Sequence, residues 1–181
     1  MNSNLIITIG REYGTGGREI GQKLALRLGV PFYDRELITR AAKKTGFDEK
    51  LFEQLDKRAT NSFLYSLTMF GSVGLNGMSL TDQLYLAQSN IIREMAEDSS
   101  CVIVGRCADH VLRDFPNKFD FFIHGSIEDR VKRVQTCGDY VIEGKTPEAA
   151  LEKMDKQRST YYNYYTGKVW GKCDHYDLCI N

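Results

Sequence analysis

Residues 5–29, LIITIGREYGTGGREIGQKLALRLG, decide how the rest of the chain is read. Leu5 to Ile9 is a short apolar run, rich in β-branched residues, with no long alternation, the pattern of a strand buried on both faces. Gly10 ends it, and a glycine-rich turn runs on to Gly17. Arg18 to Leu28 then places Ile20, Leu24 and Leu28 at i, i+4 and i+8. That spacing predicts a helix with those three side chains facing inward and Gly29 as its stop. A strand, a glycine turn and a helix in this order suit an anion, because the turn's N–H groups and the positive end of the helix converge. The strict phosphate-loop pattern, GxxxxGK followed by Ser or Thr, is absent. Gly17 stands where the lysine would be, and Arg18 follows one residue later. A turn that only closes a βα unit stays open as the alternative.

Working outward, Val30 to Tyr33 reads as a strand that delivers Asp34 at its end, and Arg35 to Lys44 as a helix. Asp48 can cap a further helix to Arg58. Asn61 to Leu80 is uncharged and rich in glycine and serine, a connector or the tip of an insertion. Thr81 to Glu97 is amphipathic, with Leu84, Ala87, Ile91 and Met95 in helical register. Cys101 to Val104 is the most apolar strand candidate and runs into Gly105-Arg106. Phe119 to His124 is another strand, before a helix over Ile127 to Cys137 that Ser126 can cap. Thr146 and Pro147 open a long charged helix reaching about Tyr162, and Asp177 to Asn181 is the last strand. Apolar strands alternating with helices predict an α/β domain around a parallel sheet.

Composition narrows the function. The chain has 181 residues, 42% of them hydrophobic, enough for one sizeable core and against general disorder. Lys plus Arg and Asp plus Glu are 24 each, so a general affinity for nucleic acid or anionic membrane is not expected. No apolar run approaches the roughly 18 residues of a membrane helix, and Met1 to Ile9 is short for a signal peptide. The 5 cysteines make no CxxC pair and read as free thiols of a reducing cytoplasm. Cys173, His175 and Asp177 lack the spacing of a tetrahedral zinc site.

Five segments, taken in order, resemble the cytidylate-kinase-like family of P-loop nucleoside monophosphate kinases. They are IGREYGTGGREIG, LGVPFYDRELITRAA, CVIVGRCADHVL, FFIHGSIEDRVKRV and MDKQRSTYYNYYTGKVWGKCDHYDLCIN. The resemblance runs from Leu5 to Asn181 and is weakest between Phe47 and Ser100. It implies one domain over 1–181, a P-loop-type three-layer fold with a five-stranded parallel sheet flanked by helices. A monophosphate-binding insertion at about 45–98 and a lid at about 130–168 would complete it. By the same resemblance Gly10, Arg11, Glu12, Tyr13, Gly14, Thr15, Gly16, Gly17, Arg18 and Glu19 cradle the phosphates of ATP. Arg130 and Arg133 stand where the lid begins, with Arg130 on the ATP side. Asp34, Arg40 and Arg106 match elements that hold the acceptor, and Asp155 and Arg158 match a lid element with Asp and Arg three apart.

The implied activity is transfer of the γ-phosphoryl of Mg2+-ATP to a nucleoside monophosphate, CMP favoured, with Arg18, Arg106, Arg158 and Asp155 as the catalytic set. Such transfer depends on positioning and on neutralising charge, which arginine forks on separate elements supply. Two alternatives stand beside it: a nucleotide-binding regulatory module without turnover, and a kinase of this fold with another small acceptor. Surface pairing is the rival role for Arg130 and Arg133 and for the Asp155–Arg158 pair, and packing is the rival for the tyrosines from Tyr161 to Tyr165. There are departures as well. Arg18 would have to serve for the lysine. Val104 and Cys107 stand where related kinases carry acidic residues, which leaves the base and the magnesium ligands open. Related folds continue into a covering helix after the last strand, so either a truncation or another covering surface is expected here.

Overall fold

The computed structural model describes residues 4–35, 38, 79–138, 140 and 146–181. Its strands are β1 (Ile6–Arg11), β2 (Phe32–Tyr33), β3 (Cys101–Val104), β4 (Lys118–Ile123) and β5 (Leu178–Ile180). They form one sheet in the order β2-β3-β1-β4-β5, and all four pairings are parallel. Ile6 lies level with Cys101 on one side and Lys118 on the other. The helices are α1 (Gly17–Leu28), α2 (Leu80–Asp98), the short α3 (Ala108–Val111), α4 (Ile127–Thr136) and α5 (Pro147–Thr166), with a 3-10 turn at Cys173–His175. The five-stranded parallel sheet is the one the sequence implies. No helix among the described residues is long and apolar enough to cross a membrane.

Strand side chains alternate between two apolar cores, which is why these strands are apolar throughout. Ile6, Cys101 and Ile103 join Ile92, Ala96 and Leu112 on one face, under α2 and α3. Ile7, Ile9, Val102 and Val104 join Ala25 on the other, under α1. Two helix starts match their sequence signals. Ser126 accepts the Asp129 N–H at 3.1 Å, and Thr146 accepts the Ala149 N–H at 3.2 Å. Gly29 stops α1 in the left-handed region at φ 65°.

The inward face of α1 differs from the sequence reading. Gly17, Gly21 and Ala25 are buried, while Ile20 and Leu28 are exposed. The helix lies so close to the sheet that a Cβ on Gly21 would stand 2.8 Å from Val104 Cγ2. Only small residues fit there, so the large apolar side chains are turned to the flanks. The helices expected over Arg35–Lys44 and Asp48–Arg58, and Arg40 with them, lie outside the described residues apart from Arg35 and Ile38. So does most of Asn61–Leu80, although Ser79 within it caps α2 by accepting the Asp82 N–H at 3.1 Å.

Strand order positions the site. β1 and β3 are neighbours, but the chain leaves β1 for β2 on one side and leaves β3 for β4 on the other. Their carboxyl ends therefore diverge into a crevice of the kind where open α/β sheets bind ligands. Gly10-Arg11 and Gly105-Arg106 both open into it.

Candidate active site

The crevice holds about 840 Å³ of empty space, part of it open to solvent. It is floored by β1 and β3 and walled by α5. Arg11, Arg35, Arg106 and Arg158 all line it. Burial holds the Arg11 guanidinium well below the ordinary arginine range, and the like charges of Arg158, Arg106 and Arg35 add to this, with Asp34 opposing. Arg158 is lowered in the same way, by burial first, with Asp155 opposing. Positive charge concentrated at the mouth of an open sheet is the electrostatics of an anion site.

Backbone geometry after β3 builds one side of it. Gly105, Arg106 and Cys107 have φ of 82°, 55° and 55°, so the chain turns through three successive left-handed residues, two of them with side chains. Such conformations cost about 1–3 kcal/mol each and persist only where the surroundings enforce them. Gly105 suits that φ, and a Cβ there would crowd Arg11 Nη1 and push its guanidinium aside. The turn directs Arg106 over the ring of Tyr161 on α5, 5.7 Å from its centroid. Burial pushes the Tyr161 hydroxyl up, against the pull of Arg106.

The glycine loop between β1 and α1 is gripped by α4 and α5. Gly16 caps α1 at φ 77°, and a Cβ on it would meet the Arg133 guanidinium at 2.7 Å. Arg133 pairs with Glu19, which also takes Lys23 at 2.6 Å. Asp155 accepts the Tyr13 N–H at 2.7 Å, and its other oxygen takes Arg130 Nη1 at 2.5 Å. Arg130 also donates to the Tyr13 carbonyl at 3.2 Å and stands 3.6 Å from Glu12 Oε2. Arg158 Nη1 donates to the Arg11 carbonyl at 2.9 Å, with its guanidinium 5.1 Å from the Tyr13 ring centre.

The residues singled out in the sequence thus fall into two groups. Arg11, Arg106 and Arg158 share the cavity, whereas Asp155 and Arg130 sit on the loop beside it. Arg18, in the first turn of α1, points to Asp34, Nε to Oδ2 at 2.7 Å, joining a residue expected at ATP to one expected at the acceptor. Asp155 and Arg158 are three apart on α5 yet take different partners, Arg130 with Tyr13 and Arg11 respectively. The tyrosine tail of α5 mostly packs. Tyr165 stacks on Tyr85 of α2 at 4.0 Å and donates to Asp82.

Arg35, Asp109 and Tyr176 also line the cavity and were not singled out. Arg35 directly follows Asp34, and Asp109 lies three residues beyond Arg106, so proximity to those two residues was the available signal. The carboxylates near the loop do not make a ligand set for a resident metal: Asp34, Glu19 and Asp155 are each engaged by cationic side chains. Among the described residues no group of three or more His, Cys, Asp or Glu is placed to hold a metal ion.

Comparison with known proteins follows the same lines. A crystal structure of an uncharacterized protein from Eubacterium ventriosum is 31% identical with a TM-score of 0.69, covering 98% of this chain and 87% of that one. A shikimate kinase from Bacteroides thetaiotaomicron is 16% identical with a TM-score of 0.52, covering 98% and 86%, a likeness of fold alone. Among curated proteins, none matches the sequence. The model of the cytidylate kinase-like family matches residues 6–181, the whole span from the first residue of β1 through the loop, the crevice and α5 to the end of the chain. With its P-loop kinase fold and that match, the chain belongs to the cytidylate kinase-like family.

Proposed function

We propose that the protein transfers the γ-phosphoryl group of ATP, bound with Mg2+ as the substrate complex, to a nucleoside monophosphate, with CMP the favoured acceptor. The observation that carries this reading is the convergence of Arg11, Arg35, Arg106 and Arg158 on one crevice beside the glycine loop. A phosphate ester seated there relieves the mutual repulsion of these guanidinium groups, and forks from separate elements fix its orientation. An acceptor oxygen then attacks the γ-phosphorus, ADP leaves, and the transferred charge stays among arginines. Magnesium comes with the donor phosphates, the usual arrangement for this ion in kinase sites. Asp34 and Arg40 are assigned to the acceptor by their place in the family pattern, and the region of about 130–168 is assigned as the lid.

The test is turnover with a panel of monophosphates, read as ADP formation, in wild type and Arg106→Ala. We expect one monophosphate to be favoured at least tenfold, and the variant to lose at least tenfold in kcat/KM, about 1.4 kcal/mol. A second reading, a nucleotide-binding regulatory module, is favoured by one observation: the Asp155 carboxylate occupies a loop N–H of the kind that binds phosphate. Nucleotide binding by calorimetry with no turnover on any monophosphate would establish that alternative instead.

A further inference from the structure

Behind one wall of the crevice two thiols meet. Cys173 opens the exposed 3-10 turn, and Cys179 is the middle residue of the edge strand β5. Cys179 lies level with Phe122 in the parallel pairing of β4 with β5, so both side chains stand on one face of the sheet. The segment from Trp170 to Tyr176 packs on that same face. The Phe122 ring meets Trp170 edge-on at 5.2 Å and Tyr176 at 5.0 Å, and a Cβ on Gly171 would stand 3.1 Å from it. Gly171 is left-handed at φ 74°, and the Tyr176 N–H donates to the Cys173 carbonyl at 3.1 Å, so the chain folds back towards β5. There the Cys179 thiol donates to Cys173 Sγ. Burial raises the Cys179 thiol above the ordinary range and this hydrogen bond adds to it, which leaves the exposed Cys173 as the sulfur that an oxidant meets first. Trp170 and Tyr176 also line the crevice, so whatever fixes this segment fixes part of that wall.

We propose that Cys173 and Cys179 are a redox pair, joined by hydrogen peroxide in a reversible disulfide that fastens the segment from Trp170 to Tyr176 to β5. The Cys173 thiolate attacks the peroxide, takes one oxygen as a sulfenic acid and releases the other as water. Cys179 Sγ then displaces the sulfenic oxygen, which leaves with the Cys179 proton as a second water. Two thiols are oxidised and one peroxide is reduced, giving one disulfide and two waters. A dithiol reductant reverses the step by exchange. The sulfurs are already in contact, so the bridge asks little of the folded chain, and its main effect is to restrict the unfolded one.

The experiment treats the full chain with hydrogen peroxide, then with dithiothreitol, in wild type, Cys173→Ser and Cys179→Ser. It needs no nucleotide, so its outcome is independent of the kinase reading. Wild type should lose two of its 5 thiols. Cleavage after Lys172 releases residues 173–181 as one peptide, which should be lighter by two hydrogen atoms and closed to alkylation. The Tm should rise by at least a few degrees. Trp170 is the chain's 1 tryptophan, so acrylamide quenching reads the segment directly and should fall on oxidation. Dithiothreitol should restore each starting value, and neither serine variant should show these changes. Loss of two thiols in Cys173→Ser as well would put the bridge elsewhere and overturn the proposal. A mapped bridge with Tm and quenching unmoved would overturn the fastening of the segment. Thiols that all survive, or a Cys173 that goes on to the sulfinic acid unbridged, would overturn the pair. Should Cys179→Ser fail to fold, Cys173→Ser, at an exposed position, decides alone.

Discussion

Asp155 Oδ1 lies 2.7 Å from the backbone nitrogen of Tyr13, across 142 positions of sequence, and accepts its N–H. A helix that starts well over a hundred residues later thus completes the loop between β1 and α1. The same carboxylate holds Arg130, whose side chain is only 10% exposed, so one acidic group satisfies two buried donors.

Asp155→Ala should for that reason be costly. Removing one partner of a buried pair typically costs about 3–5 kcal/mol, and Glu12, within 3.6 Å of Arg130, should soften the loss to about 2–3 kcal/mol. Asp155→Asn keeps an oxygen for Tyr13 and should lose less. Urea denaturation at pH 7 measures both variants. Equal midpoints for wild type and Asp155→Ala would show that the bridge contributes nothing.

Arg11→Met should act in the opposite direction on stability. Arg11 is desolvated and faces the like charges of Arg158, Arg106 and Arg35, which Asp34 opposes. An apolar chain of similar length should raise stability by about 1–2 kcal/mol, or a few degrees in Tm. Added sulfate should raise the Tm of wild type and leave that of the variant nearly unmoved. A destabilised variant that still responds to sulfate would place the anion elsewhere.

Gly105→Ala should damage both fold and site. The left-handed φ of 82° alone costs an L-residue about 1–2 kcal/mol, and the new Cβ would displace Arg11. We expect a thermal midpoint at least several degrees lower, with sulfate stabilisation much reduced. Retention of full sulfate response would mean that Arg11 does not depend on the missing Cβ.

The pH dependence of stability should carry a signature of Asp109. Its carboxyl is raised in the folded protein, so its favourable contribution is complete below the unfolded value of about 3.9 and is lost as pH rises through the folded value. The groups that act on it are Tyr162 of α5, Tyr176, Asp120 and Lys118 of β4, and the neighbouring His110. Asp109→Asn should therefore gain stability relative to wild type between about pH 4 and pH 7. Urea titrations at those two pH values check the sign, and a difference that does not change with pH contradicts it.

Much of the scaffold is legible in the sequence because it depends on local signals. β3 falls on Cys101–Val104, and Ser126 and Thr146 cap the helices they precede. The buried face of α1 is not legible in this way. Periodicity weighs large side chains, whereas the distance between α1 and Val104 is set by the absence of one at Gly21. Arg11 shows the same limit at the site. Sequence places it in the loop, but its charge environment comes from Arg35, Arg106 and Arg158, which are brought beside it only when the sheet forms. The pairing of Arg18 with Asp34 depends equally on where β2 ends, and α3 is too short to leave a periodic signal.

Arg158 holds Arg11 by the main-chain carbonyl rather than by the side chain. Every residue type at position 11 presents that same oxygen. The mechanical latch between α5 and the loop is therefore blind to mutation at 11, while the local charge is fully exposed to it. Substitutions at 11 can retune the electrostatics with the latch intact, and substitutions at 158 disturb both at once. The two arginines, side by side in space, should tolerate sequence change very unequally.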